Sequence, residues 1–236
     1  MTGNEDKIRK AFRQKNWNEI KSSDSWQIFK VMAEFVEGFE KMASIGPCVS
    51  LFGSARTDPK NRYYILAEEI AYKLTQSGYG VITGGGPGIM EAANKGAMRG
   101  DGVSVGLNIE LPHEQGANPY IDPDKLITFK HFFVRKVMFQ KYAQGFIVLP
   151  GGFGTFDEFF ESATLIQTGK IGRFPIVLVG SEFWKGLVSW IEKVVQEEQK
   201  NISPEDIDLF TVVDTAEEAV DVINKFYSKY LLSPNF

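Results

Sequence analysis

Residues 145–158 read G-F-I-V-L-P-G-G-F-G-T-F-D-E. Residues 145–149 are apolar without polar alternation, the pattern of a strand buried on both faces. Pro150, Gly151, Gly152 and Gly154 interrupt the run. An amphipathic pattern then continues to about Thr168, so the stretch predicts strand, glycine turn and helix. Three glycines in four residues exceed what a tight turn needs. Glycine allows close backbone approach, and a helix starting just beyond leaves its first N–H groups unpaired. The turn is therefore a ready anion site, to which Thr155 adds a hydroxyl or a helix cap.

The same unit recurs outward from this stretch. Upstream, a strand is predicted over 79–83, running into G-G-G-P-G at 84–88 and a helix through Met98. Strands are also predicted at 48–52, 102–107, 126–129, 175–179 and 211–213. Helices are expected around Leu66, Ile70 and Leu74, and over 132–143, 183–197 and 215–227. Residues 110–124 carry three prolines and read as a loop. Strands alternating with amphipathic helices predict a Rossmann-like, doubly wound parallel sheet of about six or seven strands. Right-handed crossovers place every strand-to-helix turn on one edge, where such sheets bind ligands. Both glycine turns fall on that edge.

Ahead of this body, residues 1–25 are polar and without clear pattern, and read as an arm or a loosely attached turn of helix. Ile28, Phe29, Met32, Phe35, Val36, Phe39 and Met42 recur at three- and four-residue steps, predicting a helix from Trp26 to near Gly46. The division expected is an N-terminal arm and helix over 1–46 and a nucleotide-binding domain over 47–236. The apolar helix face must pack on that domain or on another subunit.

The chain has 236 residues, 43% of them hydrophobic and 24% charged, with net charge −4. These are ordinary globular values, and mild acidity argues against a dedicated nucleic-acid binder. One cysteine, Cys48, excludes an intrachain disulfide framework and a cysteine zinc cluster, and two histidines, His113 and His131, exclude a histidine-rich metal site. The charged start M-T-G-N-E-D-K-I-R-K is no secretory signal, and no apolar run is long enough to span a membrane. A cytoplasmic enzyme or binding protein is the expectation, with no metal and no cofactor.

Neither glycine turn fits G-x-G-x-x-G or G-x-x-x-x-G-K-[ST], so neither a nicotinamide cofactor nor a nucleotide triphosphatase is supported. A nucleotide held as ligand or substrate remains. Asp157 and Glu158 are placed in the first turn of the helix, where the dipole favours negative charge. Glu158 also lies within a few residues of the phosphate turn, near enough to face a ribose. Glu161 shares its helix face and either pairs with a lysine or assists it. In H-F-F-V-R-K-V-M-F-Q-K at 131–141, Arg135 and Lys136 sit among aromatic and apolar residues. The pattern leaves open whether Arg135 snorkels to solvent or clamps an anion with its planar fork. His131 reads as a helix-start or surface residue.

Together these segments resemble the LOG family, often labelled "lysine decarboxylase-like". The resemblance rests on P-G-G-F-G-T-F-D-E at 150–158 with the upstream Arg135-Lys136 pair, and on S-L-F-G-S-A-R at 50–56. G-G-G-P-G-I-M-E-A-A at 84–93 and G-L-N-I-E-L-P-H-E-Q at 106–115 extend it. It implies a phosphoribohydrolase that cleaves a nucleoside 5′-monophosphate, AMP or an N6-modified AMP of the cytokinin type, to free base and ribose 5-phosphate. It assigns catalysis to Arg135 and Glu158. It assigns substrate binding to Gly53, Ser54, Gly85, Gly86, Glu114, Lys136, Gly151, Gly152, Gly154 and Thr155. It implies a homodimer or larger, and the extension before Pro47 places the chain with the longer members. No lysine has a pyridoxal-phosphate context, so decarboxylation is not expected. The alternatives are a sensor that binds the nucleotide without cleaving it, and an interaction protein using the Met/Phe helix. Asp157 is a candidate proton donor to the leaving base.

Overall fold

The computed structural model describes residues 17–111 and 116–236. Helix α1 (Trp17–Met42) starts well ahead of Trp26, inside the stretch read as patternless. Its first turns are polar, and an apolar periodicity could not reveal them. The chain divides into two compact units, Met1–Glu37 and Gly38–Phe236.

The second unit is built on seven parallel strands. They are β1 (Cys48–Phe52), β2 (Gly80–Thr83), β3 (Ser104–Ile109), β4 (Leu126–Phe129), β5 (Ala143–Val148), β6 (Ile176–Val179) and β7 (Phe210–Val213). Their order is β4-β3-β2-β1-β5-β6-β7, every pair parallel. The chain winds one way from β1 through β2 to β4, then crosses to β5 and winds the other way. The strand order therefore reverses at the β1/β5 junction, the place where such sheets open a ligand crevice. Every residue of β1, β2, β5 and β6 is buried, which is why these strands read as mostly apolar with no regular polar alternation.

Helices cover both faces. On one side α2 (Arg62–Gln76), α3 (Ile89–Arg99) and α7 (Ala216–Tyr227) bury Ile70, Leu74, Ile89, Ala93, Ala219 and Ile223 against Val49, Leu51, Val81, Ile147 and Val177. Asn61 caps α2 by accepting the Tyr63 N–H (2.9 Å), and Thr215 with Glu218 forms a capping box on α7. The other side is aromatic. It carries α4 (Phe132–Tyr142), α5 (Phe153–Gln167) and α6 (Ser181–Trp190). Phe52 meets Phe139 and Phe146 edge to face with ring centroids 4.9 and 4.8 Å apart, and Phe159 packs on Trp184. The helix expected over 183–197 is α-helical only to Trp190 and widens into π-helical turns over Ile191–Glu198.

Candidate active site

The turns after β1, β2 and β5 are fastened together through one residue. The Ser54 N–H donates to the Pro150 carbonyl (3.0 Å), and the Ser54 carbonyl accepts the Ile89 N–H at the start of α3 (3.1 Å). Gly88 has φ +67°, and a Cβ there would collide with the Ser54 carbonyl and the Ala55 backbone, so glycine is required. A Cβ on Gly53 would lie 2.6 Å from Ile89. The two glycine turns thus flank the C-terminal end of β1, as the topology predicted.

Behind the first turn lies a polar network the sequence reading missed. Asn94 of α3 is fully buried; its Oδ1 accepts from Thr83 Oγ1 (2.6 Å) and its Nδ2 donates to Ser104 Oγ (2.9 Å). Thr83 Oγ1 accepts the Gly85 N–H (2.9 Å). Asn118 Nδ2 donates to the carbonyls of Gly85 (3.1 Å) and Gly86 (3.0 Å) and to Asn94 Oδ1. A buried, mutually satisfied set of this kind holds a loop in one conformation. Its signal in the sequence is an asparagine amid helix-forming alanines, a poor helix residue unless its amide is needed.

The second turn opens α5. Gly152 caps the helix without any side-chain bond; Gly154 and Thr155 of the first turn line the cleft, and the Thr155 N–H donates back to the Gly152 carbonyl (3.0 Å). A Cβ at Gly151 would occupy the space of the Thr155 side chain, whereas one at Gly152 or Gly154 would touch nothing within 4 Å. Thr155 is buried and lines the cleft. Phe153 is 94% exposed.

Between the turns is a cleft of about 360 Å³. Gly53, Gly84, Gly86, Met90, Gly154 and Thr155 line it together with Arg135 of α4 and Glu158 of α5, and Ile109, Leu111 and Phe132 add an apolar wall. Arg135 is half-buried, with its guanidinium over the Phe132 and Phe139 rings (5.1 and 5.8 Å) and an Nη 3.8 Å from where a Gly84 Cβ would stand. Burial draws its pKa below the ordinary value while the Glu158 and Asp157 charges oppose that. It does not snorkel. Glu158 is 4% exposed, and burial pushes its carboxyl up from 4.5 to about 7 against the pull of Lys136 and Arg135. Arg135 Nε and Glu158 Oε2 are buried with no hydrogen-bond partner among the described residues.

Asp157 and Glu158 lie in the second turn of α5, because the helix starts at Phe153, so the dipole is a lesser influence on them than expected. Asp157 is exposed and accepts an ion pair from Lys136 (Nζ–Oδ2 2.7 Å); Glu161 takes the same ammonium (3.2 Å). Lys136 is therefore engaged by carboxylates. Glu114 and His113 lie outside the described residues. Among the described residues no group of His, Cys, Asp and Glu could hold a metal ion, and no helix is long and apolar enough to cross a membrane.

Fold and cleft define a doubly wound α/β protein whose switch point carries a glycine turn beside a half-buried cation and a buried carboxylate. A family profile described as "Possible lysine decarboxylase" matches residues 90–223. The cytokinin riboside 5′-monophosphate phosphoribohydrolase of Mycobacterium tuberculosis (strain ATCC 25618 / H37Rv) is 31% identical over 158 residues, which is 66% of this chain and 82% of that one. LOG2 of Arabidopsis thaliana, of the same name, is 28% identical over 153 residues, 63% of this chain and 70% of that one. The chain belongs to the LOG family. Among solved structures, a molybdenum cofactor binding protein from Rippkaea orientalis shares the fold, with TM-score 0.57 and 16% identity over 76% of this chain and 96% of that one. The Moco carrier protein of Chlamydomonas reinhardtii superposes with TM-score 0.53 at 20% identity, over 78% of this chain and 99% of that one.

Proposed function

We propose that this protein hydrolyses the N-glycosidic bond of a nucleoside 5′-monophosphate, AMP or an N6-modified AMP, giving the free base and ribose 5-phosphate. The observation that carries the reading is the pair of unsatisfied buried atoms, Arg135 Nε and Glu158 Oε2, lining one cleft beside a glycine turn. A buried polar atom without a hydrogen-bond partner is costly, and it persists where a ligand completes it. The relatives named above are phosphoribohydrolases, which supports the same reaction.

In this reading the 5′-phosphate sits at the turn opening α5, against the Gly154 backbone and the Thr155 hydroxyl, with Gly151 and Gly152 shaping the turn behind them and Arg135 supplying the countercharge. Gly53 and Gly86 line the opposite wall, while Ser54 and Gly85 hold the turns in place behind it. Binding energy from the phosphate then fixes the ribose over Glu158. As the C1′–N bond breaks, its electron pair leaves with the base and positive charge grows on the ribose ring. The Glu158 carboxylate stabilises that charge and takes a proton from the attacking water as the water oxygen bonds to C1′, while the departing base takes up a proton from solvent. A carboxyl poised near neutrality suits both the charged and the proton-accepting parts of that role. The apolar wall of Ile109, Leu111 and Phe132 faces the base.

The test is a panel of nucleoside monophosphates incubated with the purified protein, with chromatography of the released bases. Release of adenine or of an N6-modified adenine, lost in Glu158→Gln, is the expected result. Tight nucleotide binding with no base released from any monophosphate would instead make the protein a sensor.

A further inference from the structure

The helices that carry Arg135 and Glu158 are joined side by side by two sets of polar contacts one turn apart, an ion-pair set reaching the surface and a buried hydrogen-bonded set. Lys136 Nζ reaches Asp157 Oδ2 at 2.7 Å and Glu161 Oε2 at 3.2 Å, bracketing Glu158 in the sequence of α5. One turn along α4, Gln140 Nε2 donates to Ser162 Oγ (2.9 Å), and Ser162 Oγ in turn donates to the Glu158 carbonyl (2.8 Å). The Lys136 side chain is only 14% exposed, while its partners Asp157 and Glu161 are 58% and 32% exposed, so the ammonium is held beneath carboxylates that stand at the surface.

We infer that Lys136 is a positioning residue: by clamping the Asp157 and Glu161 carboxylates on either side, it fixes Glu158 in the cleft and keeps its negative charge available there. The inference rests on the hydrolase reading for its consequence, but the clamp itself is independent of it. Three carboxylates stand within five residues of one helix, and without a cation among them the most buried one would take up a proton. The charged groups acting on Glu158 are Lys136 and Arg135 from α4 and Asp157 and Glu161 from its own helix. The described residues of the other cleft walls, from Phe52 to Ala55 and from Gly84 to Met90, are uncharged. Lys136 is thus the group whose removal leaves the carboxylates facing one another. Burial works against the Lys136 ammonium, yet its contact with Asp157 and the charges of Glu158 and Glu161 outweigh that and raise its pKa. It stays charged through the neutral range.

The experiment is a carbon-13 carboxyl titration of the full chain by NMR, with the Glu158 signal assigned by its loss in Glu158→Gln, alongside the pH profile of base release from AMP. Lys136→Met moves the Glu158 midpoint up by about 1 pH unit, and the acid limb of kcat follows it. Lys136→Arg restores the wild-type midpoint, since the charge is kept. Lys136→Gln, which keeps a polar side chain but removes the charge, moves the midpoint up in the same way, and this variant decides the matter should Lys136→Met not fold. An unmoved midpoint in Lys136→Met or in Lys136→Gln overturns the inference. So does a rise in KM with an unmoved acid limb, which would make Lys136 a direct substrate contact. Wild-type protein that releases no base defeats the hydrolase reading, while the NMR midpoints still decide the clamp.

Discussion

Glu158 carries opposite consequences for catalysis and stability. Removing one well-placed electrostatic group costs ~10²–10³ in rate, or roughly 3–4 kcal/mol, so Glu158→Gln should lose that much kcat on AMP while still binding it. Arg135→Ala should lose turnover as well, with a larger share of the loss in KM where the guanidinium meets phosphate. Asp157→Asn should be milder, because Asp157 is exposed and acts through Lys136. For stability, the native Glu158 keeps its proton to about pH 7 whereas the unfolded chain releases it near 4.5. The folded state therefore binds the extra proton in that window, and stability falls as pH rises from 4.5 through 7. Above the window the loss is on the order of 3 kcal/mol. Thermal melts should show Glu158→Gln more stable than wild type at pH 8, with the difference closing toward pH 4.5. An equal offset at both pH values would mean the carboxyl is not desolvated.

At the scale of elements, the second glycine turn separates binding from folding. Gly152 has open space around its Cβ position, so Gly152→Val should fold normally and bind AMP weakly, by obstructing the approach of phosphate to the α5 N–H groups. Gly151→Ala pushes into Thr155 and should lower Tm, an overpacking penalty of about 1–3 kcal/mol. Calorimetric melts and nucleotide titration of the two variants distinguish these outcomes. Helix α4 depends on a distant segment for its end. Asn235 Nδ2 donates to the carbonyls of Gln140 (2.7 Å) and Ala143 (2.8 Å), and its N–H to that of Lys141 (2.9 Å), so the C-terminal segment caps the helix that carries Arg135. Asn235→Ala leaves those carbonyls short of donors and should cost about 1–3 kcal/mol, read as a lower urea midpoint with unchanged m.

At the scale of the whole molecule, α1 presents Trp26, Ile28, Phe29, Met32 and Val36, all more than half exposed. Apolar side chains recurring along one helix face at that exposure mark an association surface. We expect a homodimer or larger assembly, and light scattering at micromolar concentration should give at least twice the chain mass. Replacing Phe29 and Met32 by glutamate should yield monomers that keep the seven-stranded fold. A wild-type monomer would refute the expectation.

The alternation of apolar strands with glycine turns and amphipathic helices was enough to predict the parallel sheet, because strands buried on both faces leave no polar alternation and crossovers have one hand. The same logic placed the turns at 84–88 and 151–155 on one edge, and the motif residues pointed to Arg135 and Glu158. What local sequence could not supply was everything set by partners distant in the chain. The start of α1 at Trp17 has no apolar period to reveal it. The choice between a snorkelling and a buried Arg135 depended on Phe132 and Phe139 closing beneath it. The Asn94–Asn118 network joins residues from opposite ends of the β3 crossover. The near-neutral carboxyl of Glu158 arises from desolvation by the packed sheet and helices, while the pairing of Lys136 with Asp157 and Glu161 needs α4 and α5 laid side by side. Period and turn chemistry act between neighbours in sequence, whereas burial and charge pairing act between neighbours in space, and only the folded chain makes those.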